Sequence, residues 1–131
     1  MKTNLDSLFK SSDSAEKDGI WFDISEKTGF LCRPFKQTNP RIKAAMAKYF
    51  KPYARQIEND TLSVEKLQEI NINLFLDVCL VDWKGVEIDG AEVPFSRESG
   101  LKLFKALPEL FDSLWKSATD FKNYRDDLGN S

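Results

Sequence analysis

SVEKLQEININLFLDVCLV, residues 63–81, decides how the rest of the chain is arranged. Ser63 can accept a hydrogen bond from an orphan N–H of a first helical turn. Behind it, Val64, Leu67, Ile70, Asn71, Leu74, Val78 and Val81 recur at helical spacing. This spacing predicts one central helix of about five turns. From Leu74 to Val81 the residues are apolar nearly all round, so this end of the helix should be covered from more than one side and lie at the middle of the core.

Downstream, Gly85 to Phe95 alternates apolar and polar residues about Asp89-Gly90, a hairpin signal that predicts a small β-ribbon. Ser96 then caps a helix carrying Leu101, Leu103, Phe104 and Leu107, with Glu98 in the first turn where the helix dipole favours an anion. Pro108 ends or restarts this helix. Leu110, Phe111, Leu114, Trp115, Ala118 and Phe121 form the apolar face of a last helix, and the polar end from Asn123 is expected to fray.

Upstream, Asn39-Pro40 is a helix start, with Asn as cap and Pro at the first helical position. The helix is expected to run to about Ile57, with Ile42, Ala45, Met46, Tyr49, Phe50 and Tyr53 on its apolar side and a bend or break at Pro52. Before it, Ile20 to Ile24 and Phe30 to Phe35 are rich in β-formers and are joined by a loop ending in Gly29, which reads as an antiparallel hairpin. Together these elements predict an α+β chain: a mainly helical single domain with an N-terminal β-hairpin and a small β-ribbon before the last two helices. Residues 19–124 are expected to be the compact domain, residues 1–18 a loosely ordered leader, and residues 125–131 a flexible C-terminal end.

The 131 residues are enough for one core without staples. Lys and Arg number 19 and Asp and Glu 21, so a formal charge of -2 supplies no field that would gather nucleic acid or an anionic membrane. The basic stretch Lys36 to Arg55 contains aromatics, but they fall on the apolar stripe and the cations on the other side, as in a solvated amphipathic helix. No apolar run approaches the roughly 20 residues of a membrane span. Cys32 and Cys79 each lie in apolar surroundings and read as buried reduced thiols, which points to a cytosolic compartment. Asn59-Asp60-Thr61 fits a glycosylation sequon and, without a secretion signal, is read as chance.

The sequence contains no histidine, which removes Ser/His/Asp and Cys/His nucleophile systems and imidazole zinc sites. Neither G-x-x-x-x-G-K-[ST] nor G-x-G-x-x-G occurs, so no standard phosphate cradle is expected. Asp77, Asp82, Glu87 and Asp89 could be offered as ligands for a hard cation, but solvated carboxylates on helix ends and hairpins are the simpler reading. No catalytic residue, cofactor site or metal site is therefore assigned. Trp83 and Phe95 are expected in the core. Trp115 and Phe121 have fewer segments left to cover them, so the face Leu110, Phe111, Leu114, Trp115 and Phe121 is the candidate protein-binding surface.

Asp82-Trp83-Lys84-Gly85-Val86, then Gly90, then Val93-Pro94-Phe95-Ser96-Arg97-Glu98 resembles the D-W-x-G-V … G-x-x-[IV]-P-F-[ST]-x-E signature of phage tail assembly chaperones. Leu107-Pro108-Glu109-Leu110, Gly19-Ile20-Trp21, Asn39-Pro40 and Lys51-Pro52-Tyr53 extend the resemblance over roughly residues 19 to 124. Gly100 departs from it, since relatives more often carry Ala there. Glycine costs up to about 1 kcal/mol in a helix.

The resemblance implies the shorter, non-frameshifted form of a siphophage chaperone. Such a protein binds the tape measure protein, keeps it soluble, and helps recruit tail tube subunits, the tube protein being reached through a longer frameshifted form. It would act in the host bacterial cytoplasm and be absent from the mature virion, with self-association into a homo-oligomer as a further expectation and no nucleic-acid or membrane partner. The alternative is a small phage-encoded interaction protein that modulates a host protein.

Overall fold

The computed structural model, which describes residues 13–124, has the expected α+β character. Its elements run α1 (Asp13–Asp18), β1 (Ile20–Asp23), β2 (Gly29–Cys32), α2 (Pro40–Phe50), a 3₁₀ turn (Lys51–Tyr53), α3 (Ala54–Glu58), α4 (Val64–Val78), β3 (Leu80–Lys84), β4 (Glu87–Ile88), β5 (Ala91–Glu92), α5 (Arg97–Ala106), α6 (Pro108–Thr119) and a second 3₁₀ turn (Phe121–Asn123). The stretches 1–12 and 125–131 of the predicted leader and C-terminal end lie outside the described residues.

The central helix is shorter than its spacing suggests. α4 ends at Val78, and Leu80 to Lys84 leaves it as a strand that joins the N-terminal hairpin in a three-stranded antiparallel sheet of order β1-β2-β3. Gly29 pairs with Lys84, Phe30 with Trp83 and Leu31 with Asp82. A short apolar run such as Val78 to Val81 fits a buried strand as well as a helix turn. The unpaired edge of β2 decides between them, because its N–H and C=O groups need partners.

The helix starting at Asn39 is also divided. Asn39 caps α2 by accepting from Arg41 N–H, and Pro52 sits inside a 3₁₀ turn separating α2 from α3, where the predicted bend falls. Ser96 and Ser99 form a reciprocal capping box at the start of α5. Gly100 is buried there, and a Cβ at this position would lie 2.5 Å from Leu76 Cδ2. The absent side chain leaves room for Leu76 of α4 beside α5.

The core is built on Phe75, whose ring meets Phe104 at 5.7 Å and Phe111 at 5.6 Å edge-on, with Trp115 at 6.3 Å. Phe30 and Trp83 bring in the sheet at a centroid distance of 6.0 Å. Both ends of the described chain are tied to this body. α1 belongs to the stretch read as a loosely ordered leader, yet it buries Ala15, Arg33 Nε donates to the Lys17 carbonyl at 2.7 Å, and Lys36 pairs with Glu16 at 2.8 Å. At the other end, Asn123 Nδ2 donates to the Ser117 carbonyl, and Tyr124 is fully buried with its hydroxyl donating to the Cys32 carbonyl at 3.1 Å. The polar end read from Asn123 thus includes an aromatic ring and a hydroxyl that both find partners in the core.

Cys32 and Cys79 are free and buried, and burial pushes the Cys32 thiol from 9.0 up to about 12. A group whose folded pKa is raised stabilises the fold fully below its unfolded pKa, and that stability is lost as pH rises towards the folded value. The window here is pH 9 to 12, with a slope of up to ~1.4 kcal/mol per pH unit. Urea denaturation at stepped alkaline pH should accordingly give a shallower decline for Cys32→Ala than for the parent chain; equal slopes would count against this origin.

Candidate functional site

The apolar face of the last helix points inward. Phe111 and Leu114 are buried in the core, Leu110 and Trp115 are half-buried against it, and the Trp115 ring lies 4.8 Å from Phe35. Phe121 stands apart on the second 3₁₀ turn and is 40% exposed. The expected continuous binding stripe is thus not an open surface, because α6 covers Phe75 and Phe104 and uses its apolar side to do so. A substitution at Trp115 would disturb packing before it disturbed binding.

The signature residues from Asp82 to Glu98 form a scaffold. Trp83 is buried, and its Nε1–H donates to the Val93 carbonyl at 2.8 Å, fastening β3 to the exit of the ribbon, while Phe95 packs edge-on against it at 5.2 Å. Thr28 Oγ1 donates to the Gly85 carbonyl at 2.7 Å, joining the β1–β2 loop to the same place. Asp89 and Gly90 both have positive φ, as a tight ribbon turn between β4 and β5 requires.

The four acids considered as cation ligands are dispersed. Arg97 Nε donates to Asp77 at 2.7 Å, Arg97 Nη2 to Asn73 at 2.7 Å and to the Tyr49 hydroxyl at 3.2 Å, and that hydroxyl donates to Asp77. Burial pushes the Asp77 carboxyl up, but the hydrogen bonds from Tyr49 and Arg97 outweigh it and hold it below the ordinary carboxylate range. This network ties α2, α4 and α5 together, a role for Arg97 that its place in the linear sequence does not announce. Asp82 accepts from Trp83 N–H, Asp89 pairs with Lys102 at 3.5 Å, and Glu87 faces Glu92 across the ribbon.

Exposed large apolar side chains occur at Trp21, Ile24, Leu107 and Phe121, and three more fall at the corner between α3 and α4. Ile57 is 44% exposed, Val64 78% and Leu67 40%, and no residue of the 3₁₀ turn or α3 is buried. The corner is nevertheless firmly built. Thr61 N–H donates to the Gln56 carbonyl at 2.8 Å and Asp60 N–H to the Ile57 carbonyl at 3.1 Å, with Asp60 at φ 55, a Schellman-type ending of α3. Ser63 then caps α4 by accepting from Lys66 N–H at 3.1 Å. Lys66 Nζ lies 5.4 Å from the centroid of the Tyr53 ring, bringing the 3₁₀ turn beside the start of α4. Val64 and Leu67 belong to the helical stripe of α4 but are exposed, whereas Ile70 and Leu74 farther along it are buried. Only the change from the mixed Val64–Asn71 stretch to the apolar Leu74–Val81 stretch hinted at this.

Among the described residues, no helix is long and apolar enough to cross a membrane. A family model described as YdaY prophage protein matches residues 37–129, while no curated protein and no solved structure matches. The matched span takes in α2, the apolar corner, β3, the ribbon and the last two helices, and leaves out β1 and β2. A prophage origin agrees with the resemblance to phage proteins, although the family's description says nothing of tail assembly. Because the match spans well over half of the 131 residues, the chain belongs to the YdaY prophage protein family.

Proposed function

We propose that this prophage protein is a tail assembly chaperone: it binds the tape measure protein, keeps it soluble in the host cytoplasm and helps bring tail tube subunits to it, acting by binding rather than catalysis. The observation that carries the reading is the open corner of Ile57, Val64 and Leu67, an apolar surface on a capped helical frame. A long client helix with an apolar side needs such a surface, modest in area and repeated over many copies, more than it needs a pocket. The resemblance of residues 82–98 to the tail assembly chaperone signature supports the assignment, and the prophage family supports its setting. The client surface is accordingly moved from the last helix to the α3–α4 corner.

The test is co-expression with the tape measure protein of the same prophage. The parent chain should keep that protein soluble and co-purify with it. The triple variant Ile57→Asp, Val64→Asp, Leu67→Asp should bind at least about 100-fold more weakly, since each side chain buried at a contact contributes on the order of 1 kcal/mol or more. Its thermal melt should remain close to the parent's, because exposed positions tolerate substitution. Equal solubility of the tape measure protein with and without the chain would sink the proposal.

A further inference from the structure

Ile57, Val64 and Leu67, three of the seven exposed large apolar side chains among the described residues, fall within residues 57–67 at the α3–α4 corner. The charges around them are of one sign. Residues 57–65 contain Glu58, Asp60 and Glu65 and no Lys or Arg, and all three acids are exposed. The ion pairs among the described residues include none of them. The cations that flank this stretch are directed elsewhere. Lys66 Nζ lies 3.3 Å from Glu69 and 5.4 Å from the centroid of the Tyr53 ring. Arg55 precedes Ile57 by two residues, more than half a turn round α3.

Backbone geometry fixes the order of these groups. Ile57 and Glu58 are consecutive in the last turn of α3, and the Thr61 N–H to Gln56 carbonyl bond closes the chain behind them. Asp60 stands in the turn at φ 55, a conformation that Asp tolerates. Val64 and Leu67 are one turn apart and so neighbours on α4, with Glu65 a little over a quarter turn from Val64. The apolar patch therefore has carboxylates on its shoulders, the arrangement of an interface with an apolar centre and a polar rim. Glu65 also serves α4 itself, as an anion in its first turn. Glu58 gains nothing of the kind at the end of α3, where the helix dipole opposes an anion.

We infer that the corner selects a helical client segment that carries aliphatic residues on its contact side and Lys or Arg on the shoulders of that side. This rests on the reading of the corner as the client surface. Ile57, Val64 and Leu67 take the aliphatic residues, as a helix laid on an apolar surface requires. Glu58, Asp60 and Glu65 meet the cations and gain on docking the ion pairs that they lack in the free chain. The same carboxylates repel a segment whose shoulders are acidic. The rim thus decides which segment of a long client is held, and the apolar patch supplies the contact common to all of them.

Fluorescence anisotropy of the purified full chain tests this with two labelled synthetic helices of about 20 residues, which share one Leu/Ile side and differ only in Lys or Glu on its shoulders. The Lys helix should bind at least about tenfold more tightly than the Glu helix at about 50 mM salt, the scale of three exposed ion pairs, and the preference should shrink at about 500 mM. The rim variant Glu58→Gln, Asp60→Asn, Glu65→Gln should bind the two helices within about threefold of each other. The patch variant Ile57→Ser, Val64→Ser, Leu67→Ser should lose the Lys helix. Equal binding of both helices by the parent chain, no binding of the Lys helix, or a preference that survives in the rim variant would each overturn the selection by charge, while leaving the co-expression result as it stands. A Lys helix held undiminished by the patch variant would instead remove the corner as the client surface, and this inference with it. The inference also fails if a second copy takes the corner, with the parent sedimenting as oligomers that the patch variant lacks and the Lys helix does not disperse. Were the rim variant to lose its thermal transition, Glu58→Gln alone should lower the preference about twofold, and an unchanged preference would count against the rim.

Discussion

Replacing Phe75 with alanine is expected to cost about 4 kcal/mol and to lower the melting temperature by about 15 °C. Phe75 is 0% exposed and sits between the edges and faces of Phe104, Phe111 and Trp115, so α5 and α6 lose a common packing partner on α4 at once. Little can move to fill the space, since those neighbours are already held by one another: Phe104 and Phe111 lie 5.6 Å apart, and Phe111 and Trp115 5.8 Å. The loss should therefore combine the transfer of a ring with a residual cavity. Val64→Ala is the control. Val64 is 78% exposed although it shares the helix and the apolar stripe, and its change should stay within about 0.5 kcal/mol. Urea denaturation of both variants checks the pair; a Phe75→Ala cost below about 2 kcal/mol would mean that the aromatic cluster is not the centre of the core.

The second large effect is expected at Gly85. Its φ is +64, and a Cβ there would lie 2.0 Å from the Lys27 carbonyl oxygen. Alanine must bear the left-handed backbone, at roughly 1–2 kcal/mol, and must also push the β1–β2 loop away. That movement breaks the Thr28 to Gly85 hydrogen bond and loosens the attachment of the ribbon to the sheet. A total on the order of 3 kcal/mol follows. Gly90 separates the two contributions, because its φ is +81 but nothing lies within 4 Å of a Cβ built on it. Gly90→Ala should cost only the backbone share, about 1 kcal/mol. Equal losses at Gly85 and Gly90 in thermal melts would show that the loop gives way freely and that the contact with Lys27 contributes nothing.

The contrast between these glycines also shows how far linear reading reaches. Asp89-Gly90 announces its turn because both residues that bear positive φ are adjacent and flanked by alternating residues. Gly85 can be read only as a turn glycine, since the carbonyl it must avoid belongs to Lys27, far away in sequence. Gly100 has a neighbour that linear reading cannot see: a Cβ there would lie 2.5 Å from Leu76 Cδ2 on another helix.

The candidate binding surface followed the same division. Spacing places Phe111, Leu114 and Trp115 on one face of a helix and Val64 and Leu67 on one face of another, and both statements hold. Which of the faces is covered depends on where the helices end up relative to Phe75, and periodicity carries no such information.

What the sequence determined by itself was local: the caps at Asn39, Ser63 and Ser96, the break at Pro52, the turn at Asp89-Gly90, the helical stripes and the α+β class, each set by interactions within a few residues. Tertiary structure alone decided that Leu80 to Lys84 would become a third strand, that the last helix would turn inward, and that Ile57, Val64 and Leu67 would stay open. The physical reason is that strand pairing and burial are contests between distant segments for the same hydrogen-bond edges and the same apolar area, and their outcome is fixed only when all the competitors are in place.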